Sequence, residues 1–161
     1  MVQLMPDNED PTRPNAVWLD AWRGALYATS RVLRIAEAEL IATEGFPITW
    51  LDVLSRLHDA PDHRLRMQEL EERSLFTRSG ITRLIDRIEA AGLVRREPVP
   101  TDRRGVLVAL TDEGLRRHDT AFASHMPIIE REFGRRLTPE QQRVIADALA
   151  TFWRDDDAGS G

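Results

Sequence analysis

Five side chains between residues 78 and 87 carry the chemistry needed to read a nucleic acid. Arg78, Ser79, Thr82, Arg83 and Arg87 combine fork-shaped cations with hydroxyls. An arginine grips guanine through two parallel hydrogen bonds, and a serine or threonine hydroxyl serves several bases or a phosphate. Further along, Asp102-Arg103-Arg104-Gly105 sets two arginines in a turn-forming loop. An arginine at a hairpin tip fits a narrow minor groove, where the negative potential is deepest. Asp102 is placed to hold such an arginine by a charge-assisted hydrogen bond. Taken singly, each set is also what a solvated helix face or a surface hairpin with a local ion pair presents. The elements that carry them decide between these readings.

Residues 67–73 read as a short helix, with Met67 and Leu70 one turn apart, and residues 74–77 as a tight turn. A second helix is predicted over residues 78–91, because Ile81, Leu84, Ile85 and Ile88 recur at i, i+3, i+4 and i+7. Thr77 stands at its N-cap and Gly92 just past its end. Ser79, Thr82 and Arg83 then fall on the polar face, in the half of the second helix that meets base edges in a helix-turn-helix. Asp86 and Glu89 repel phosphate, so the C-terminal half is expected to turn away from the backbone. Residues 93–97 and 106–110 are β-capable, and the loop between them holds Pro98 and Pro100, which exclude helix. Helix, turn, helix, hairpin is the order of a winged helix-turn-helix, and that order moves both sets of residues toward DNA.

The run from Ser79 to Arg96, followed by Asp102-Arg103-Arg104 and Leu110-Thr111, resembles the MarR (multiple antibiotic resistance regulator) family. The similarity extends from about Thr49 to Phe133, over half of the chain. It implies a homodimeric winged-helix transcription regulator, often a repressor relieved by a small aromatic ligand. It also implies that Asp102 and Arg104 are the wing's Asp-x-Arg, with the arginine reaching the minor groove. Arg78, Ser79, Thr82 and Arg83 take the recognition-helix positions.

Composition bounds the reading. A chain of 161 residues suits one domain with a sizeable core. The absence of cysteine removes disulfides, thiolate metal sites and thiol redox sensing. Family members that sense oxidants through a cysteine are therefore poor guides. No signal peptide and no apolar run near 18 residues is present, so a soluble, cytoplasmic protein is expected. All 22 basic residues are arginine, a bias of the kind that GC-rich coding produces. The net charge of −5 runs against DNA binding, but it is unevenly spread. Residues 64–110 hold ten arginines against seven acids; the acidic surplus lies in the flanks.

Those flanks read as dimerisation apparatus. Residues 1–15, with Pro6, Pro11 and Pro14, suggest a flexible arm. A helix over roughly 16–43, about 40 Å long, carries a stripe of Trp18, Trp22, Leu26, Leu33, Ala36, Leu40 and Ile41. It dominates an N-terminal dimerisation segment at 16–48, because a lone amphipathic helix of this length packs on a partner. The DNA-binding lobe follows at 49–110, opening on a helix capped by Thr49 with Asp52 at N3. Residues 111–154 read as C-terminal dimerisation helices. Thr111 caps the first, whose apolar face is Leu115, Phe122, Met126, Ile129 and Phe133, with a bend expected from Pro127. Thr138-Pro139-Glu140-Gln141 forms a capping box for the second. Residues 155–161 read as an acidic, disordered tail.

The resemblance implies a pocket for a small phenolic or aromatic acid between the dimerisation helices and the lobe. Trp18, Trp22, Arg23, Tyr27, Trp50 and His58 are its candidate lining, an arginine or histidine beside aromatic rings being able to hold a carboxylate. The helical spacing of Trp18 and Trp22 favours dimer core over pocket, Arg23 reads as a surface residue, and His58 serves also as a helix-terminal charge. His118 and His125 lie about 10 Å apart along one helix, too far to grip one ion. No metal site and no cofactor are assigned. No nucleophile motif or phosphate-cradling glycine loop appears, so enzymatic activity is not expected. The chain is expected to be a mainly α protein with a small β-wing, a winged helix-turn-helix flanked by dimerisation helices. The resemblance implies that it binds double-stranded DNA at a pseudo-palindromic operator as a homodimer, and no membrane partner is expected. A constitutive DNA binder and a winged-helix protein-interaction module are the alternatives left open.

Overall fold

The computed structural model describes residues 17–72, 78–99 and 102–158, with residues 72, 78, 79, 103, 104 and 153–158 described by their backbone only. The proposed arm at 1–15, the turn at 74–77 with its Thr77 cap, and the end of the proposed tail at 159–161 lie outside the described residues. The elements are α1 (Val17–Glu44), α2 (Ile48–Asp59), β1 (Arg64–Arg66), α3 (Met67–Glu72), α4 (Arg78–Ala90), β2 (Val94–Val99), β3 (Asp102–Leu110), α5 (Asp112–Glu132) and α6 (Pro139–Ala158). The fold is mainly α with a three-stranded antiparallel sheet in the order β1-β3-β2, the mainly α winged arrangement expected from the sequence.

The apolar stripe of α4 sinks into one core. Ile81, Leu84, Ile85 and Ile88 meet Leu51, Leu54 and Leu57 of α2, Leu70 of α3, Val94 of β2 and Val108 of β3. Gly92 ends α4 as the period demands. It adopts φ +76°, a left-handed conformation that glycine reaches without penalty. Gly92 N–H then donates to Glu89 O at 2.8 Å and Leu93 N–H to Ile88 O at 3.1 Å. These two bonds are a Schellman closure, and Ile88 and Leu93 supply its apolar contact.

Several expectations are corrected. The hairpin strands run further than residues 93–97 and 106–110, reaching Val99 and starting at Asp102, with an irregularity at Pro98/Val99. The segment expected as a loop is therefore mostly paired strand, and Pro98 is accommodated beside that irregularity. A third strand, β1, was not anticipated; three residues of mixed exposure carry too short a period to stand out. Thr49 does not cap α2. The helix starts at Ile48, Pro47 occupies the cap position without a side-chain bond, and Ile48 N–H donates instead to the Glu37 carboxylate of α1 at 2.6 Å. A cap supplied from another helix leaves no local signature. The helix α6 runs on past Arg154 to Ala158.

Both C-terminal caps match the sequence. Thr111 Oγ1 accepts from Gly114 N–H at 2.9 Å. Thr138 N–H donates to Gln141 Oε1 at 2.9 Å while Gln141 N–H donates to Thr138 Oγ1 at 3.3 Å, a reciprocal box. The inward face of α5 differs from expectation. It is lined by Gly114, His118, Ala121, His125 and Ile128, whereas Phe122, Met126 and Phe133 point outward. The stripe of α1 also divides. Ala36 and Leu40 are buried in the chain, but Trp18, Trp22, Leu26, Leu33 and Ile41 are exposed. Ion pairs Arg31–Glu132 (3.4 Å) and Arg131–Glu39 (2.5 Å) tie α1 to α5. The Arg131 guanidinium, helped by Arg136, holds the Glu132 carboxyl below its usual range.

Candidate nucleic-acid interface

With the apolar side of α4 committed to the core, its other side presents Thr82, Arg83, Asp86 and Arg87 to solvent. Among the described residues Arg83 and Arg87 enter no ion pair, so their guanidinium forks face outward without an internal partner. Arg78 and Ser79 lie in the first turn of the same helix, and their side chains are outside the described residues.

The acids of α4 are held by a residue that sequence reasoning missed. Arg96 of β2 forms ion pairs with Asp86 (2.7 Å) and Glu89. Its backbone N–H donates to Glu89 Oε1 at 2.8 Å, and its guanidinium reaches Thr82 O at 3.5 Å. One cation thus offsets two carboxylates that would otherwise repel a phosphate backbone, and it braces the helix against the wing. Single exposed pairs contribute little, but a shared cation in a network fixes geometry. Asp86 and Glu89, expected to turn the end of the helix away from a DNA backbone, thus stand in a cluster that keeps one net negative charge. Nothing local in the sequence marks Arg96, because the contact needs β2 to fold back along α4.

The wing shows a similar surprise. Asp102 is exposed and pairs with Arg66 of β1 at 3.5 Å. The sequence reading linked it to the loop arginine; the side chains of Arg103 and Arg104 are outside the described residues, as is the tip at 100–101. Gly105 lies where a Cβ would approach Val99 Cγ2 at 2.7 Å and Asp102 Oδ2 at 2.9 Å. The tight approach of the two wing strands thus excludes a side chain there. Along the strands, Arg95 pairs with Glu97 at 2.7 Å and donates to Leu110 O at 3.0 Å.

One link between the interface and the helical stalk runs through Thr111. Thr111 Oγ1 donates to Gly92 O at 2.7 Å and Thr111 N–H to Leu93 O at 3.1 Å. The residue that caps α5 therefore also binds the turn closing α4. A Cβ at Gly114 would lie 1.9 Å from Leu93 O, so the stalk and the lobe meet backbone against backbone.

The candidate effector residues divide into two groups. Trp18, Trp22 and Tyr27 are 69%, 60% and 72% exposed on the first half of α1. Arg23 lies among them, 3.8 Å from Asp20. Trp50 and His58 lie on α2, both half-buried. Trp50 stacks on Phe46 at 5.8 Å, and its buried indole N–H has no partner among the described residues. His58 stacks on His118 at 4.3 Å beside a cavity of about 390 Å³ lined by Ser55, Asp59, Asp119, Phe122 and Ala123. No described contact joins the α1 group to the α2 group. The stacking of His58 on His118 also departs from the sequence reading, which compared His118 with His125 along one helix. Contact across two helices cannot be read from spacing.

Comparison with known proteins places these features. A family model described as "MarR family" matches residues 44–105, the segment from the end of α1 through the wing. The HTH-type transcriptional repressor YetL of Bacillus subtilis (strain 168) is 32% identical over 101 residues, 63% of this chain and 60% of YetL. The aligned chain thus spans about three fifths of that relative. AbsC, a MarR family transcriptional regulator from Streptomyces coelicolor, superposes with a TM-score of 0.80 at 27% identity, covering 91% of this chain and 99% of AbsC. Sco3205, a MarR family transcriptional regulator from the same organism solved in complex with DNA, superposes with a TM-score of 0.79 at 30% identity. That match covers 87% of this chain and 89% of Sco3205.

Proposed function

The chain belongs to the MarR family, and from that membership we propose that it is a homodimeric, sequence-specific regulator of transcription that represses its targets and is released by a small aromatic ligand. The observation that carries the DNA-binding part is the outward face of α4. Arg83 and Arg87 are exposed and unpaired among the described residues, while Arg96 offsets the neighbouring acids. The helix enters a major groove with Arg78, Ser79, Thr82 and Arg83 toward base edges, and Arg87 toward phosphate. Asp102, Arg103 and Arg104 bring the wing to the adjacent minor groove. Two copies related by a twofold axis engage a pseudo-palindromic operator in double-stranded DNA, their half-sites separated by about one helical turn or a multiple of it. DNA-bound Sco3205, similar in fold and sequence, supports this docking.

Release follows from the joint at Thr111 and Gly114. A phenol or aromatic acid bound between stalk and lobe favours a lobe spacing that no longer matches the half-sites, a shift of population rather than a loss of fold. In this reading Trp50 and His58 meet that ligand on the lobe side, and Trp18, Trp22, Arg23 and Tyr27 supply the dimer face or the second copy's share of the pocket.

Fluorescence anisotropy on the DNA flanking the chain's own gene, against random DNA at matched salt, tests the proposal. Specific binding is expected, with Arg83→Ala and Arg104→Ala each weakening it by about 1–3 kcal/mol. Aromatic acids and phenols added to the complex are expected to lower the anisotropy. Equal, weak binding to both DNAs that neither substitution changes would overturn it.

A further inference from the structure

We propose that the groove between α2 and α5 is a binding site for a divalent transition metal of the zinc class, ligated by His58, His118 and Asp119. The three side chains present one ligand atom each within 4.8 Å of one another. Two imidazoles and a carboxylate, without thiolate, form a donor set suited to zinc, cobalt or nickel rather than to magnesium or calcium.

The arrangement of hydrogen bonds is what distinguishes this cluster from a chance meeting of histidines. Each imidazole has one nitrogen engaged and the other directed at the same carboxylate. His58 Nδ1 is 3.0 Å from Asp59 Oδ1, and His58 Nε2 is 3.8 Å from Asp119 Oδ1. His118 Nε2 is 3.2 Å from Ser55 Oγ, and His118 Nδ1 is 3.0 Å from Asp119 Oδ1. Asp59 and Ser55 thereby stand where outer partners stand around a metal-bound histidine, fixing the ring and its tautomer. His58 Nε2, His118 Nδ1 and Asp119 Oδ1 converge, and the adjoining cavity of about 390 Å³ leaves a fourth position open to water.

Binding requires a small movement whose direction is set. Zinc–ligand bonds of about 2.0–2.2 Å place tetrahedral donors roughly 3.4 Å apart. His118 is buried and stays. His58 and Asp119 are the accessible members, and His58 must turn out of its 4.3 Å stack on His118 so that the two in-plane lone pairs meet. The bound ion would pin α2, whose Leu51, Leu54 and Leu57 belong to the core under α4, to the stalk helix α5. That it alters DNA affinity rests on the function proposed above.

The test uses the tag-free full chain. Cobalt(II) is titrated in, then displaced with zinc(II), against a competing colorimetric chelator, and DNA anisotropy is recorded with and without zinc. One cobalt per chain with the visible bands of a four-coordinate nitrogen–oxygen site is expected. His58→Gln and Asp119→Asn, both at accessible positions, are each expected to weaken it by about tenfold or more. Loss of all metal to the chelator, or equal binding by both variants, would overturn the site. Site-dependent metal binding that leaves DNA anisotropy unchanged would overturn only its regulatory role. Failure of metal-free and zinc-loaded protein alike to bind DNA would count against the proposed function and leave the metal site standing.

Discussion

Among the described residues, the lobe built from α2, α3, α4 and the sheet covers nearly all of its own apolar surface, Val106 excepted, whereas the long helices around it do not. In the lobe, the stripe of α4 is buried to the last isoleucine, and even the acids of its outer face are matched by Arg96. In the helices, Trp18, Trp22 and Leu26 of α1, Phe122 and Met126 of α5, and Val144 and Phe152 of α6 all remain exposed. Polar matching and apolar closure mark a surface built to meet water and a charged polymer. Uncovered aromatic stripes at helical spacing mark one built to meet another protein surface. The difference accords with the proposed function, in which the lobe meets DNA and the long helices meet the second copy.

The joint between the two regions is the place to break that contrast most severely. Gly114→Ala drives a methyl group into Leu93 O and is expected to cost about 3 kcal/mol or more, read by urea denaturation. A loss below about 0.5 kcal/mol would mean that lobe and stalk are not locked there. Next in size is the apolar face of α1. Trp22→Asp with Leu26→Asp is expected to weaken dimerisation by about 2 kcal/mol or more, roughly thirtyfold. Sedimentation of a variant that stays dimeric at low concentration would remove these residues from the interface.

Arg96→Ala sharpens the contrast inside the lobe. It uncovers Asp86 and Glu89 beside the proposed DNA face, and a loss of about 1 kcal/mol in DNA affinity is expected although the arginine itself faces the helix. Adding Asp86→Asn with Glu89→Gln should restore most of it. The smallest effect belongs to the stalk. Burial pushes the His125 imidazole below its ordinary range, so the unfolded chain takes up its proton first as pH falls. Stability is complete above about pH 6.5 and declines as pH drops toward the folded value. Melting curves between neutral and mildly acidic pH should show this decline, and His125→Leu should flatten it.

Where the local pattern carried the information, the sequence was legible. The period of α4, the Gly92 terminus, the Thr111 cap and the Thr138–Gln141 box all depend on residues within a turn of each other, and each stands as read. The β-strand ends were less so, because Pro98 suppresses the strand signal while pairing with β3 restores it. The start of α2 was misread because its cap comes from Glu37, eleven residues away on another helix. Arg66, Arg96 and the meeting of His58 with His118 were invisible for the same reason.

The residues alone determined which helix carries the arginines, which face it buries and where it stops, since helical periodicity and capping are near-neighbour physics. They also determined that a hairpin follows, and so the order of the fold. Only the tertiary structure decided which side chains remote in the chain meet: Arg96 with the acid pair of α4, Asp102 with Arg66 of β1, and a histidine–aspartate cluster between α2 and α5. Such contacts depend on the distance between side chains remote in the chain, and that distance exists only after the core has brought the elements together.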